Sequence, residues 1–163
     1  MHRVYVSIGS NIDRDAHIRS ALATLNESFG PLSVSTVYES EAVGFDGDNF
    51  YNLVIAFDTD LGLQSLLDTL HEIERQHGRK RGSDHFSPRT LDLDILLYDD
   101  RIEKNNRLQI PRDEITRYAF VLCPLAEIAG ERQHPMTGQH YKDMWEGFDK
   151  SSQKIWPAEF SWP

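Results

Sequence analysis

The chain has 163 residues, a formal net charge of −9 and a single cysteine. That length fits one domain with a substantial hydrophobic core, and one cysteine rules out an internal disulfide. The acidic balance argues against a general nucleic-acid binder, which needs a broad basic surface, and no apolar run reaches the length of a membrane span. The N-terminus enters a strand pattern at once, without the apolar core of a secretory signal, so a single cytoplasmic domain over residues 1–163 is expected.

Val4, Val6 and Ile8 alternate with other residues and predict a strand that stops at Gly9-Ser10-Asn11. Ile18, Ala21, Leu22, Leu25 and Phe29 fall at helical spacing and predict an amphipathic helix over about 14–28, ended by Gly30-Pro31. A second strand is expected at about 32–39, then a Gly/Asp-rich loop over 41–49. Residues 50–58 alternate two faces, Phe50/Asn52/Val54/Ala56 and Tyr51/Leu53/Ile55/Phe57, as in a central strand.

Thr59 or Asp60 can cap a second helix with the stripe Leu63, Leu66, Leu67, Leu70 and Ile73, and Gly78 can stop it. A basic loop follows, Arg79 to Arg89, and leads into an acidic strand at about 90–98. Its flanking leucines suggest a central position in the sheet. Asp99-Asp100 reads as a turn, and Leu108 to Pro111 as a short extended piece. Residues 113–130 mix helical and apolar signals around Pro124, with Cys123 reading as a small buried hydrophobe. The tail holds one short helix near 139–147. The order β-α-β-β-α-β predicts a ferredoxin-like α+β sandwich, with an antiparallel sheet, helices packed on one face and mobile loops over the site on the other.

The chemistry concentrates at the basic loop and the strand after it. Asp92 and Asp94 are spaced i, i+2, so on a strand they project from one face while Leu91, Leu93 and Ile95 project from the other. Two carboxylates on one face repel unless a cation intervenes, and Mg²⁺ is usually held by one or two carboxylates plus phosphate oxygens. The competing reading is two solvent-facing aspartates. Arg79, Arg81 and Arg89 can clamp phosphates, or they can be a solvated loop at the negative end of a helix dipole. Phe50 and Asn52 share a strand face and can hold a flat heterocycle, the ring by stacking and the amide by donating and accepting; equally, Phe50 can be core and Asn52 a strand-edge hydrogen bonder. His71, Glu74 and His77 share a helical spacing that imitates a metal site but lacks a further ligand. No P-loop sequence is present.

In combination, Glu74 to Arg81 followed by Ser87 to Leu96, with Ile8-Gly9-Ser10-Asn11, Phe50-Tyr51-Asn52, Ile110-Pro111 and Phe120 to Leu125, resemble the 6-hydroxymethyl-7,8-dihydropterin pyrophosphokinase family of the folate pathway. The resemblance runs from Val4 to about Ile128. It implies transfer of the β,γ-pyrophosphoryl group of ATP, the co-substrate, to the pterin hydroxymethyl oxygen, with release of AMP. It implies two Mg²⁺ ions on Asp92 and Asp94, and Arg79 and Arg89 acting with these two aspartates in catalysis. It assigns Glu74, Arg79, Arg81, Arg89, Ile95 and Arg112 to the nucleotide, and Ser40, Ala42, Val43, Phe50, Asn52 and Phe120 to the pterin. The partners implied are small molecules, with no nucleic acid and no membrane, and a monomer is expected.

Several positions depart from the family pattern. Arg112 stands where a histidine usually follows Pro111, and Asp113 where an aromatic is common. Tyr118 replaces an arginine, Phe86 a tryptophan, and Glu41-Ala42 a Pro-Pro pair. The changes at 112, 113 and 118 motivate one alternative, a non-catalytic pterin- or nucleotide-binding paralogue; the Asp-x-Asp strand leaves another, ranked last for want of a third carboxylate, a magnesium nucleotidyltransferase acting on other substrates.

Overall fold

The computed structural model describes residues 1–41, 48–78 and 91–162. In chain order the elements are β1 (His2–Ser10), α1 (Arg14–Phe29), β2 (Ser33–Val34), β3 (Tyr38–Ser40), β4 (Phe50–Thr59), α2 (Leu63–Gln76), β5 (Asp92–Tyr98), β6 (Glu103–Lys104), β7 (Gln109–Ile110), α3 (Glu114–Arg117), α4 (Ala119–Ala129), α5 (Tyr141–Glu146) and β8 (Ile155–Pro157). The main sheet runs β5-β1-β4-β3-β8, with β2 also on β4, and all its pairings are antiparallel. This is the expected ferredoxin-like order, with the second strand divided into β2 and β3 and one strand, β8, added from the tail.

The first core forms as the periodicities predict. Val4, Val6 and Ile8 of β1 and Leu53, Ile55 and Phe57 of β4 meet Ile18, Leu22 and Leu25 of α1 and Leu66, Leu70 and Ile73 of α2. Each such side chain, taken fully out of water, contributes roughly 1.5–3 kcal/mol. Gly30 ends α1 at φ 80°, its N–H donating to Asn26 O, and Gly78 follows α2 at φ 82°; both lie in the left-handed region that glycine enters at no steric cost. The expected cap of α2 is not made. Gly62 is the N-cap, and Thr59 Oγ1 instead accepts the Leu61 N–H at 3.1 Å.

Two expectations about the sheet are corrected. Its second face is not left to loops: Tyr5, Val54, Ala56, Leu96 and Leu97 pack there with Val121, Leu122 and Leu125 of α4 and Tyr141 of α5. Pro124 lies inside α4, where it removes one N–H donor and its ring crowds the carbonyl four residues earlier; the helix forms nonetheless, with Val121, Leu122 and Leu125 buried in the second core. In addition, β5 ends the sheet among the described residues rather than lying inside it. Two of its backbone groups nevertheless find partners outside the sheet. The Leu93 N–H donates to the fully buried Glu74 carboxylate at 2.7 Å, and Leu96 O accepts the Arg112 N–H at 3.1 Å. Contacts of this kind make an edge strand a poorer template for further pairing. Cys123 is half-buried rather than buried, and burial raises its thiol pKa. Among the described residues, no helix is long and apolar enough to cross a membrane.

Candidate active site

The α4 face of the sheet changes character along its length. At one end, three adjacent strands present Ala56 and Val54, Tyr5, and Leu97 and Leu96, all packed in the second core. At the other end the same faces present Asn52 and Phe50, Ser7 and Gly9, and Asp94 and Asp92. The register makes these rows explicit: Gly9 lies opposite Asn52 on one side and Asp92 on the other, and Ser7 lies opposite Val54 and Asp94. Side chains directly opposite on neighbouring strands share a face, so Asn52, Gly9 and Asp92 form one continuous line.

Gly9 makes room for that line. A Cβ at this position would stand 2.8 Å from Asn52 Oδ1, closer than real contacts allow, although its φ lies outside the left-handed region. The glycine is therefore a matter of space and not of backbone conformation. Asn52 is buried and its amide donates to Ser40 Oγ at the long distance of 3.5 Å; Ser40 in turn pairs with Phe50. On the far strand, Asp92 and Asp94 are half-buried and project together, as their spacing predicts.

Arg112 supplies a cation to the aspartates. Its Nη2 lies 3.5 Å from Asp94 Oδ1, and its Nε donates to Glu114 Oε1 at 2.7 Å. Burial works against its charge, but Asp94, Glu114 and Asp92 outweigh it and hold the guanidinium pKa above its ordinary value. Two hard carboxylates on one strand face fit Mg²⁺, which keeps several waters and takes its remaining oxygens from phosphates. Among the described residues no group of three or more His, Cys, Asp or Glu side chains could by itself hold a metal, so such an ion would need oxygens from a ligand.

The structure brings together Ser40, Phe50, Asn52, Asp92, Asp94 and Arg112. Phe120, in the first turn of α4, packs against the second core and stacks on Tyr118 with centroids 5.1 Å apart. Ile95 turns its side chain the other way, into the first core at 1% exposure, so only its main chain is available to a nucleotide. Glu74 is fully buried and holds β5 through Leu93; it does not share a solvated face with His77, which contacts Ile73 O and Ser20 Oγ. Ala42, Val43, Phe86, Arg79, Arg81 and Arg89 lie outside the described residues.

Two further residues matter that spacing did not single out. Glu114 orients Arg112 across a turn, a contact with no periodic signature. Arg14 donates to Glu39 Oε2 at 3.2 Å and Asn49 O at 2.8 Å, and lies over the Tyr51 ring at 4.0 Å. It thereby fixes the entry to β4 at Asn49, the residue immediately before Phe50.

Comparison with known proteins bears on the family and the fold. The family model described as 7,8-dihydro-6-hydroxymethylpterin-pyrophosphokinase (HPPK) matches residues 5–130. A 2-amino-4-hydroxy-6-hydroxymethyldihydropteridine pyrophosphokinase of Aquifex aeolicus is 37% identical over 145 residues, covering 88% of this chain and 90% of the relative. The protein of the same name from Pseudomonas aeruginosa is 38% identical over 151 residues, with the same coverage. Among solved structures, HPPK-DHPS in complex with substrates aligns with a TM-score of 0.68 at 12% identity, over 89% of this chain and 43% of that one. Wild-type Plasmodium falciparum HPPK-DHPS with pterin and p-hydroxybenzoate aligns at 0.66 and 14%, over 89% and 42%. The chain thus spans less than half the length of those structural neighbours, and at these identities they speak for the fold alone. The match over residues 5–130, together with relatives that share more than a third of their residues along most of their length, shows that the chain belongs to the 7,8-dihydro-6-hydroxymethylpterin-pyrophosphokinase family.

Proposed function

We propose that this protein transfers the pyrophosphoryl group of ATP to 6-hydroxymethyl-7,8-dihydropterin, giving AMP and the pterin diphosphate in folate biosynthesis. Its family membership and the names of its relatives support this reading. The observation that carries it is the line Asn52, Gly9, Asp92 across three strands, an amide with both a donor and an acceptor on the same sheet face as a carboxylate pair.

The division of labour follows from the residue chemistry. Asn52 has both a donor and an acceptor for the amide edge of the pterin, and Phe50 and Phe120 offer rings to its faces. Ser40, with the main chain of Ala42 and Val43, completes that pocket. Asp92 and Asp94 hold two Mg²⁺ ions, which when bound neutralise phosphate charge and orient phosphate oxygens. Arg79, Arg81, Arg89 and Arg112 address the phosphates, with Glu74 and the Ile95 main chain on the nucleotide side. The hydroxymethyl oxygen attacks the β-phosphorus and gives up its proton to solvent, and the bond from that phosphorus to the α,β-bridging oxygen breaks, so AMP leaves with that oxygen. Such chemistry asks the protein mainly for alignment and electrostatic stabilisation. The positive charge of these arginines would also offset the charge that develops on the transferring group. Action as a monomer in the cytoplasm completes the proposal.

The test is AMP formation by purified protein. AMP should appear only when Mg²⁺, ATP and the hydroxymethyl dihydropterin are all present. Pterin binding without pterin-dependent AMP, at ample enzyme, would refute it in favour of a non-catalytic binding protein; pyrophosphate in place of AMP would point to nucleotidyl transfer.

A further inference from the structure

The carboxylate pair on β5 carries its own counter-cation, and that cation is held in a way that frees one side of it. The Arg112 main chain is pinned to the outer edge of β5 through Leu96 O at 3.1 Å. Its Nε is taken by Glu114 Oε1 at 2.7 Å, while Nη2 reaches Asp94 Oδ1 at 3.5 Å. The three side chains are 26%, 11% and 13% exposed for Arg112, Glu114 and Asp94, so little water screens them.

We propose that Arg112, positioned by Glu114, is a resident counter-ion of the Asp92/Asp94 pair that disfavours a free divalent cation and turns to the phosphates when metal and nucleotide arrive together. This rests on the reading of Asp92 and Asp94 as metal ligands. A guanidinium is a rigid planar fork whose Nε and Nη groups can serve different partners at once. The short bond to Glu114 anchors one edge of the fork, and the longer contact to Asp94 is the one that can be exchanged. A dication entering alone meets a fixed positive charge beside its ligands. A dication entering with a triphosphate brings several negative charges, which give the Nη groups a better partner than Asp94. Metal and nucleotide therefore favour one another's binding, and by linkage the coupling is reciprocal. A guanidinium stays charged at any pH the protein meets, so the device does not depend on titration.

The experiment titrates Mn²⁺, read by the electron paramagnetic resonance of the free ion, into the intact protein with and without α,β-methylene-ATP. Relative to the parent protein, Arg112→Met should bind free Mn²⁺ about tenfold tighter and the Mn²⁺–nucleotide analogue about tenfold weaker, as removal of one nearby unscreened charge requires. A residue that merely supports the structure would weaken both. Arg112→Gln, which keeps a donor for Glu114, should shift both affinities in the same directions and guards against a folding defect, checked by thermal unfolding. Arg112→Met with Glu114→Gln should retain the gain in free Mn²⁺ affinity, since that gain comes from losing the cation and not from baring Glu114. Glu114→Gln alone should weaken analogue binding, and this loss should vanish in the Arg112→Met background. Unchanged or weaker free Mn²⁺ binding in a folded Arg112→Met protein overturns the proposal. If Asp94→Asn leaves Mn²⁺ binding of the parent protein unaltered, the metal reading itself fails, and the counter-ion proposal with it.

Discussion

Replacing Gly9 with alanine adds one methyl group to the line Asn52, Gly9, Asp92 and tests whether that line is the pterin site. The new Cβ would stand 2.8 Å from Asn52 Oδ1, where ordinary contact begins at 3.4 Å; the next atoms, Asn52 Cγ and Tyr51 O, are both at 3.9 Å. The collision is confined to one side-chain oxygen, which must retreat by roughly half an ångström in an interior packed as densely as a crystal. Asn52 is only 8% exposed, so it has little room, and overpacking of this kind costs about 1–3 kcal/mol of stability. Displacing the group that reads the heterocycle should lower kcat/KM for the pterin by about a hundredfold, and leave the KM for ATP within about twofold because the aspartates on β5 are not struck. The assay is pterin-dependent AMP formation with thermal unfolding alongside, run as a double-mutant cycle with Asn52→Ala. Because the clash is with the Asn52 side chain, Gly9→Ala should be nearly neutral in the Asn52→Ala background. An equal penalty in both backgrounds would refute the reasoning.

Further perturbations address the other parts of the site and the fold. Glu74→Leu leaves the buried Leu93 N–H without its acceptor and should cost about 1–3 kcal/mol in denaturant unfolding; Glu74→Gln, which keeps an acceptor, should recover part of it, and a raised KM for ATP beyond the stability loss would mark a nucleotide contact as well. Asp94→Asn should lower turnover by at least about a hundredfold with pterin affinity within about threefold, measured by calorimetry. His134, whose Nδ1 accepts the Met136 and Thr137 N–H groups, is held by burial below its ordinary pKa of 6.5. The unfolded chain therefore binds this proton first on acidification, so His134 contributes stability that is fully present above pH 6.5 and is lost as pH falls through the depressed folded value. His134→Asn, which can still accept those bonds, should flatten the fall in melting temperature between neutral and mildly acid pH.

What could be read in the sequence was local and periodic. The α1 and α2 stripes, and the two faces of β4, rest on side chains three to four or two residues apart, and the structure buries them as expected. The joint projection of Asp92 and Asp94 had the same origin. What escaped depends on partners distant in the chain. Ile155–Pro157 becomes a strand only by pairing with Tyr38–Ser40, and nothing in three tail residues announces it. The place of β5 at the sheet edge was masked because the features that usually mark an interior strand, flanking leucines and partnered backbone groups, are reproduced by Glu74 and by the Arg112 main chain. The second helical layer was obscured because residues 119–129 are apolar on most sides, which hides the stripe that marks a surface helix. Arg112 and Glu114 meet across a turn, and turns impose no repeat from which such a contact could be inferred.

The boundary between core and site on the α4 face is drawn by an irregularity in β5. From Gly9 to Val6, β1 pairs residue for residue with Asp92 to Ile95, but Tyr5 then pairs with Leu97, so the register skips Leu96. Such a bulge places two consecutive residues against one, and here both Leu96 and Leu97 join the second core while Tyr98 returns to the first. An uninterrupted strand would send Leu97 to the α1 and α2 side with Leu93 and Ile95. The bulge therefore gathers extra apolar surface under α4 immediately beyond Asp94. At the same point the Arg112 N–H takes up the carbonyl of Leu96, the residue the register leaves unpaired, and this bond brings the guanidinium to the aspartates. One extra residue in β5 thus serves both ends of the face: it thickens the core that anchors the strand, and it supplies the acceptor that sets Arg112 beside the charged pair.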